Sequence, residues 1–373
     1  MMEWSRIWGR VKKLRVVVVH PYMHIMGGGE RVCLQIVRSL LEDGHDVTLV
    51  SEPVDQDDLI EVSGSSLLKD VKRVPYKPFE PKVKKFSVYQ RVLHHMIMTA
   101  GRKVAEADLE ILTQDVMFTC DVGAKKVAYV HYPEYLVHLE GAKSASRLFW
   151  RAYYAPVIWY WHRQIRKIDL FLCNSQYTRR AIKEKWGKDA TVIYPPVDVE
   201  KIRPAPKEEF VATVGRFVKE KNYELVLEVA KLMPEVKFLI MGRKQDENYY
   251  EKIKNSKPSN VELLTDLSSE DLFSILGKAK VYLHTMIGEH FGISIVEAMA
   301  AGCIPVVHNS GGMREAIGDF GYVYSNIKEC CDCISRALHK KVEISRITEY
   351  AKRFSSKNFR EKIKKVLKER ENF

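Results

Sequence analysis

The feature that most constrains the fold is an alternation of short apolar runs with segments long enough to form helices. Eight such runs recur along the chain, namely RVVVVH (15–20), DVTLV (46–50), KKVAYVH (125–131), LFLCNS (170–175), FVATVG (210–215), KFLIMG (237–242), KVYLHT (280–285) and IPVVHN (304–309). Apolar runs of this length, separated by helical segments, are typical of parallel strands buried on both faces. The sequence therefore predicts an α/β protein with Rossmann-like parallel sheets.

The length of the chain predicts two domains, because 373 residues exceed what one hydrophobic core usually organises. The strand and helix pattern is interrupted in 191–209, TVIYPPVDVEKIRPAPKEE, where four prolines precede a fresh strand. We therefore expect an N-terminal domain over 1–197 and a C-terminal domain over 198–355. Residues 356–373 are predicted to form a terminal helix.

Composition restricts the class of protein. Hydrophobic residues make up 46% of the chain, which predicts a globular protein, and the net charge of +12 predicts an anionic partner such as phosphorylated substrates, anionic lipid or nucleic acid. We expect no nucleic acid, because the sequence contains no RNA-binding motif. The seven cysteines include no pair of C-x-x-C units and no Cys/His spacing that suggests a zinc site, and Cys330, Cys331 and Cys333 are predicted to be buried thiols on a helix rather than metal ligands.

Two segments are candidates for contact with a membrane surface. The N-terminus lacks the apolar core of a signal peptide, but Trp4, Ile7, Trp8 and Val11 have the spacing of one helix face. That spacing fits either an interfacial helix or a basic tail. The second segment, 146–169, places seven aromatic residues between arginines, and its longest uncharged run has ten residues, too few to span a bilayer. It fits either a helix at the headgroup level or a core helix kinked at Pro156.

Ligands of open α/β sheets bind at the carboxyl ends of the strands, so the loops that follow the predicted strands carry the candidate site. After the first strand, Gly27, Gly28 and Gly29 open a helix whose N-terminus offers free amides to a phosphate or a sugar. A dinucleotide fingerprint would need a third glycine at Val32, so NAD binding is disfavoured despite Glu52 at the end of the second strand.

Two further loops carry polar side chains suited to a nucleotide sugar. His131 follows the third run, where it can hydrogen-bond a substrate, although a lone histidine is more often structural. Arg216 and Lys221 follow the fifth run, and two cations at one strand end suit a diphosphate better than one. The alternative is an ordinary solvated turn.

The stretch GEHFGISIVEAMAAG (288–302) places two acids eight positions apart in an apolar segment. If the helix begins at Phe291, the amides of Phe291, Gly292 and Ile293 can hold a phosphate. Glu297 can then bind two ribose hydroxyls, and Glu289 can bind hydroxyls of a sugar attached to the diphosphate. A structural role would explain either acid alone, but not both acids together with the two glycines.

These residues resemble the retaining GT-B glycosyltransferases of family 4. The similarity covers nearly the whole chain and rests on HPYMHIMGGGERV, VHYPEY, NSQYTRRAI, VIYPPVDV, GRFVKEKN and EHFGISIVEAMAAGCIPVVHNSGG. It is closest to the α-1,2-mannosyltransferases that extend the lipid-linked N-glycan precursor. The resemblance implies a GT-B fold, with two Rossmann-like domains facing across a cleft and a last helix that crosses back to the first domain.

The resemblance also implies a role for each candidate residue. Arg216 and Lys221 are expected to bind the donor diphosphate, Glu297 the ribose, and Glu289 with His131 the transferred sugar. Gly28 and Gly29 are expected to face the reaction centre. Asn222 stands where many family members have glycine.

The function implied is transfer of α-mannose from GDP-mannose to a lipid-linked oligosaccharide, with retention, without a metal, at the cytoplasmic face of a membrane. The leaving diphosphate itself is expected to help deprotonate the attacking hydroxyl. Three alternatives stay open: a transferase that uses a UDP-sugar for another glycolipid or surface polysaccharide, a nucleotide-sugar hydrolase or epimerase, and a catalytically silent binding subunit.

Overall fold

The computed structural model describes residues 13–24, 27–77, 87–100, 105–133, 144–341 and 343–369. Contacts between residues divide the chain into two compact units. Unit 1 contains the described residues up to Asn174, Thr178–Ile193 and those from Phe359 onward. Unit 2 contains Ser175–Tyr177 and Tyr194–Asn358.

Unit 1 is built on a sheet of seven strands whose order is β3-β2-β1-β4-β5-β6-β7, and each adjacent pair is parallel. The strands are β1 (Arg15–Val19), β2 (Asp46–Ser51), β3 (Lys72–Pro75), β4 (Ala107–Leu112), β5 (Gly123–Val130), β6 (Leu170–Cys173) and β7 (Thr191–Val192). The helices in this part of the chain are α1 (Gly28–Glu42), α2 (Gln56–Ser63), α3 (Ser87–Ala100), α4 (Ser144–Arg166) and α5 (Gln176–Trp186).

Unit 2 contains a parallel sheet of six strands in the order β10-β9-β8-β11-β12-β13. The strands are β8 (Glu208–Val214), β9 (Lys237–Gly242), β10 (Val261–Thr265), β11 (Ala279–His284), β12 (Ile304–His308) and β13 (Tyr322–Tyr324). The helices that follow α5 are α6 (Tyr223–Leu232), α7 (Glu247–Ser256), α8 (Ser269–Lys278), α9 (Ile293–Ala300), α10 (Met313–Ile317), α11 (Ile327–His339), α12 (Ile344–Ala351) and α13 (Ser356–Glu369).

The predicted α/β class with two parallel sheets is confirmed, and all eight predicted strands are present. Five short or polar strands were missed, namely β3, β4, β7, β10 and β13. Of these, β4 lies beside β1 in the middle of its sheet. Its sequence ADLEIL contains two acids, which hide a central strand from an analysis based on apolar runs.

The core of unit 1 covers both faces of its sheet. On one face Val16 and Val18 of β1 belong to a buried cluster with Phe359 and Ile363 of α13. Val17 belongs to the cluster on the opposite face, because successive side chains of a strand alternate between faces. Helix α13 thus supplies part of the core of unit 1.

Charged groups also join α13 to the end of α1. The Lys364 Nζ atom lies 3.0 Å from Glu42 and 2.9 Å from Asp43, and Arg360 donates to Gln35 over 2.6 Å. The pKa of the Glu42 carboxyl is lowered because hydrogen bonds from Arg38 and Lys364 outweigh the effect of burial, and that of Asp43 is lowered in the same way by Lys364 and Lys368. These contacts fix the rotation of α13 about its axis, which apolar packing alone would define less sharply.

Helix α4 contains most of the aromatic segment predicted from sequence, and it continues through Pro156. One side is buried through Val157, Trp161 and Ile165, while Phe149 is 65% and Trp159 59% exposed. Features of both sequence interpretations are therefore present, a core face and an exposed aromatic face. Of the helices in the described ranges, none has the length and apolarity needed to cross a bilayer. Trp4 and Trp8 lie outside the described residues.

The acid that hides β4 has a structural role. Glu110 is fully buried, and its carboxylate accepts hydrogen bonds from the Thr119 hydroxyl at 2.9 Å and from the backbone N–H groups of Cys120 at 2.6 Å and Val122 at 3.2 Å. A buried carboxylate is tolerated only when its oxygens are hydrogen-bonded in this way. Glu110 therefore holds the turn between β4 and β5.

We expect Glu110→Ala to lower the free energy of unfolding by about 3 kcal/mol, because several buried donors would lose their acceptor. Chemical denaturation followed by circular dichroism measures the change. Glu106→Ala, which removes an exposed carboxylate one residue before β4, is the matched control and should change stability by less than about 0.5 kcal/mol. Equal effects of the two substitutions would contradict the role assigned to Glu110.

Candidate active site

Five adjacent strands of unit 1 are each followed immediately by a polar residue. In sheet order these are Glu52 after β2, His20 after β1, Thr113 after β4, His131 after β5 and Asn174 after β6. The carboxyl ends of parallel strands lie on one edge of a sheet, so the five side chains form a row there. The sequence analysis assigned a site role to only one of them, His131.

His131 is held from several directions. Its Nε2 atom lies 3.0 Å from the backbone oxygen of Thr113, and its own carbonyl accepts from Asn174 at 2.9 Å and from Thr178 at 3.2 Å. A Cβ atom added to Gly29 would lie 3.5 Å from His131 Nε2. The structure therefore brings together two of the predicted site residues, Gly29 and His131.

Two buried carboxylates brace the loop that connects β1 with α1. Glu52 accepts hydrogen bonds from the backbone N–H groups of Met23 and His24. Glu30, in the first turn of α1, accepts from the backbone N–H of Gly27 at 2.8 Å. Because Glu52 is engaged with its own chain, it does not resemble the free acid that binds a dinucleotide ribose.

In unit 2, Lys221 and Glu289 form an ion pair with 3.1 Å between Nζ and Oε2. Their side chains are 18% and 19% exposed, and His284 Nε2 lies 3.6 Å from the same carboxylate oxygen. Burial alone would raise the pKa of Glu289, but His284 and Lys221 hold it well below its usual range. Burial lowers the pKa of His284. At neutral pH the Glu289 carboxyl is therefore ionised, and the His284 imidazole beside it is uncharged.

The loop that carries Glu289 leads into α9, which begins at Ile293 with Gly292 as its N-cap. The predicted start at Phe291 is wrong, because Gly292 has φ +93°, outside the helical region and favourable only for glycine. Phe291 is instead buried and its ring lies 5.3 Å from that of Tyr194. The first helical amides are those of Ile293 and Ser294, which lack partners within the helix.

Glycines on a neighbouring loop fix the position of Glu289. The backbone oxygen of Glu289 accepts from the N–H of Gly312 at 2.8 Å, and a Cβ atom on Gly311 would lie 2.1 Å from that oxygen. Only a loop without side chains at Gly311 and Gly312 can approach Glu289 so closely.

Glu297 is half-buried on α9, about 6 Å along the helix axis from Ile293.

Arg216 and Lys221 follow β8. Arg216 is exposed and donates to the Gln245 side chain over 2.6 Å, whereas Lys221 is half-buried and its carbonyl accepts from the Thr285 hydroxyl at 2.6 Å. Asn222 has φ +51°, a left-handed conformation that asparagine adopts more readily than most residues. Glycine adopts the same conformation freely, so the expectation that many family members have glycine here is compatible with the backbone of this turn.

The predicted site residues fall into two groups. Gly28, Gly29 and His131 lie at the carboxyl edge of the unit 1 sheet, and Arg216, Lys221, Glu289, Phe291, Gly292, Ile293 and Glu297 lie in unit 2. Sequence reasoning did not assign His20, Thr113, His284 or Ser294. The signal available for the two histidines was their position at the end of an apolar run, in RVVVVH and KVYLHT.

Among the described residues, no three or more histidine, cysteine, aspartate or glutamate side chains form a group that could hold a metal ion. Cys330 and Cys333 are buried on α11 as predicted, whereas the predicted burial of Cys331 is wrong, because this residue is only partly buried. Burial raises the pKa of the Cys330 and Cys333 thiols. Both thiols are therefore protonated at neutral pH.

Comparison with known proteins places this geometry in a family. Residues 26–201 match the family described as Glycosyltransferase Family 4, and residues 196–372 match Glycosyl transferases group 1. Two curated relatives bear the name GDP-Man:Man(3)GlcNAc(2)-PP-Dol alpha-1,2-mannosyltransferase. The relative from Dictyostelium discoideum is 28% identical over 97% of this chain and 86% of its own length, and that from Homo sapiens is 25% identical over 88% and 80%.

Solved structures share the fold at lower sequence identity. Anabaena HepE, solved in complex with UDP and glucose, superposes with a TM-score of 0.69 at 17% identity, covering 95% of this chain and 99% of that one. Sucrose-phosphate synthase from Thermosynechococcus elongatus superposes with a TM-score of 0.71 at 13% identity, covering 96% and 99%. The chain therefore belongs to the GT-B glycosyltransferases, with a family 4 domain followed by a group 1 domain.

Proposed function

We propose that this glycosyltransferase moves α-mannose from GDP-mannose to a lipid-linked oligosaccharide and forms an α-1,2 linkage. The observation that carries the proposal is the name shared by its curated relatives, whose similarity extends over most of both chains. The partly buried ion pair of Lys221 and Glu289 beside the start of α9 supports a nucleotide-sugar site in unit 2.

The chemistry that unit 2 can supply is electrostatic. Departure of the nucleoside diphosphate leaves negative charge on its oxygens, and we assign Arg216, Lys221 and the first amides of α9 to its stabilisation. We propose that no divalent metal is needed, because Arg216, Lys221 and the N-terminus of α9 all belong to unit 2 and can together supply the positive charge. Activity that persists in a metal chelator would support this part of the proposal, and its loss with recovery on adding magnesium would contradict it.

The two acids of unit 2 differ in environment, which supports different roles. Glu289 is held ionised by Lys221 and His284, so it can accept hydrogen bonds from hydroxyls of the transferred sugar without being protonated. Glu297 lies on the helix, where its two oxygens can bind the vicinal hydroxyls of the ribose. For unit 1, we assign Gly28, Gly29 and His131 to contacts with the transferred sugar.

In this mechanism the protein supplies no nucleophile. A diphosphate oxygen of the leaving group takes the proton of the attacking hydroxyl on the same face of the sugar, so the new bond keeps the α configuration. The role of Lys221 is to neutralise part of the negative charge that develops on that diphosphate, which makes it a better leaving group. Its ion pair with Glu289 fixes the ammonium before the donor binds, which reduces the reorganisation needed in the transition state.

The first test is a transfer assay with radiolabelled GDP-mannose, UDP-glucose and UDP-N-acetylglucosamine, each offered with an extract of lipid-linked oligosaccharides. We expect label in the lipid fraction from GDP-mannose alone, in an α-linkage sensitive to an α-1,2-mannosidase. Label from a UDP-sugar would instead support the alternative donor. Free sugar released without any acceptor would indicate a hydrolase, and nucleotide-sugar binding without any turnover would indicate a silent binding subunit.

The donor site is tested by Lys221→Met and Glu297→Gln. Lys221→Met should lower kcat/KM for GDP-mannose about 10²- to 10³-fold, because a preorganised cation is lost from the diphosphate. Glu297→Gln should lower it about 10- to 100-fold, because hydrogen bonds to a charged acceptor are replaced by weaker ones. Lys231→Met and Glu228→Gln, exposed positions on α6, are the matched controls and should retain wild-type kinetics. Wild-type kinetics in both site variants would contradict the roles assigned to Lys221 and Glu297.

We also propose peripheral contact with the cytoplasmic face of a membrane, where a lipid-linked acceptor is presented. The exposed Phe149 and Trp159 lie on α4, which contains no acidic residue and exposes Arg151, Arg163 and Arg166. The neighbouring helix α3 contacts α4 through Tyr89 and exposes Leu93, Met96 and Ile97, which are 50% to 62% accessible. Aromatic side chains between arginines suit an anionic lipid surface. Trp4 and Trp8 belong to the same proposal.

Sedimentation with vesicles of phosphatidylcholine and phosphatidylserine tests this surface. The double variant Phe149→Ala and Trp159→Ala should weaken binding about tenfold or more, because two large apolar groups no longer enter the interface. Leu232→Ala, which removes an equally exposed apolar side chain from unit 2, is the control and should bind as wild type does. Unchanged binding of the double variant would place the membrane contact elsewhere.

A further inference from the structure

A buried polar network in unit 1 has no role in the function proposed so far. His20, directly after β1, is 1% exposed, and its Nδ1 atom lies 2.9 Å from the hydroxyl oxygen of Thr113. That hydroxyl also lies 3.3 Å from the backbone oxygen of Val19. A carbonyl oxygen can only accept, so the hydroxyl donates its one proton to Val19 and accepts from His20. Nδ1 of His20 therefore carries a proton.

The other ring nitrogen of His20 faces a carboxylate. Its Nε2 atom lies 3.7 Å from Glu30 Oε1, and Glu30 is itself 7% exposed. With Nδ1 protonated, a neutral ring would direct a lone pair from Nε2 at the carboxylate, whereas the imidazolium directs an N–H at it. Burial opposes the charge, but interactions with Cys33 and with the Glu30 carboxylate outweigh it and raise the pKa of His20 to about 9. Against its own burial, Glu30 has its pKa lowered by this histidine.

This pair is connected at both ends to predicted site residues. At one end the second oxygen of Glu30 accepts from the backbone N–H of Gly27, the residue that caps α1. At the other end the backbone oxygen of Thr113 lies 3.0 Å from His131 Nε2. Because a carbonyl only accepts, Nε2 of His131 carries a proton in this contact, so a neutral form of the ring would be the Nε2-protonated tautomer.

Both imidazoles also border the glycine loop. A Cβ atom on Gly29 would lie 3.5 Å from His131 Nε2 and 4.0 Å from His20 Cε1. Gly29 therefore packs against the rings of both histidines. A shift of His20 or Thr113 would displace the loop and the His131 ring together.

We propose that His20, Glu30 and Thr113 are positioning residues that hold the turn at Gly27 to Gly29 and the tautomer and ring orientation of His131. The proposal deepens the function proposed above, since it rests on contact of Gly29 and His131 with the transferred sugar. It assigns no contact with substrate to His20, whose ring is buried behind the loop.

The kinetic test compares Thr113→Val with Thr113→Ser. Valine has the shape of threonine but cannot accept from His20, so kcat should fall about 10- to 100-fold, because displaced reactive groups lose alignment. KM for GDP-mannose should stay within about threefold, since the diphosphate and ribose are assigned to unit 2. Thr113→Ser keeps the hydroxyl and should restore most of the lost kcat. Thr348→Val on α12 controls for loss of a hydroxyl elsewhere.

Glu30→Gln tests the charge in the network. It keeps the size of the side chain and an acceptor for Gly27, but removes the anion that faces His20, so kcat should fall with a smaller change in KM. Equal kcat in wild type, Thr113→Val and Glu30→Gln would overturn the proposal. The proposal would also be overturned if Thr113→Ser lowered kcat as much as Thr113→Val does, because the hydroxyl would then make no difference to kcat.

A second measurement needs no activity. In protein labelled with ¹⁵N-histidine, nuclear magnetic resonance should show both ring nitrogens of His20 protonated at pH 7.5, with titration near pH 9, and the neutral form of His131 protonated on Nε2. Glu30→Gln should move the titration of His20 toward lower pH. A neutral His20 at pH 7.5, or a neutral His131 protonated on Nδ1, would refute the network even in an active enzyme. Failure of the wild type to transfer mannose would refute only the proposed function.

Discussion

The parallel backbone ladder between strands is the interaction on which the rest of this structure depends. In unit 1 the last residue of β1, Val19, is in register with Val50 of β2 and Leu112 of β4. His20 and Thr113, which directly follow β1 and β4, are therefore placed side by side by backbone hydrogen bonds, without any attraction between their side chains. The contact between His20 and Thr113 follows from that register, although 93 residues separate them in sequence. If one strand slipped by one residue relative to its neighbours, its side chains would turn to the other face of the sheet. The polar residues at the strand ends would then no longer lie next to each other.

Buried charge is the second constraint, and the molecule satisfies it in three different ways. Glu110 is held by a hydroxyl and backbone amides alone, Glu30 by one amide and a histidine, and Glu289 by a lysine with a histidine nearby. The first arrangement holds a turn together and has no exposed face. The third is about one-fifth exposed, so its ion pair is accessible to a ligand while remaining strong enough to keep the carboxylate ionised. Exposure, rather than residue type, separates the structural acid from the candidate catalytic one.

The sequence predicted the site residues in loops that directly follow apolar strands, because there the strand pattern itself points to the ligand edge. His131, Lys221 and Glu289 were assigned to the candidate site in this way. The start of α9 was predicted two residues too early, because Phe291 suits a helix and only the positive φ of Gly292 excludes it. Thr113 was missed for a different reason. It follows β4, whose acids Asp108 and Glu110 conceal the strand, so there was no predicted strand end at which to look for it.

The sequence by itself determined the class of the fold, the two sheets and the loops that carry the chemistry, because hydrophobic periodicity and glycine placement are local properties. Only the tertiary structure decided which side chains meet. Lys221 and Glu289 form an ion pair across 68 residues of sequence, and Thr113 joins His20 to His131 from a strand that the pattern did not reveal. The protonation states of these groups also depend on such meetings, since burial and a charged neighbour set them. The burial of a group and the charges beside it are set only when the strands take their places in the folded sheets.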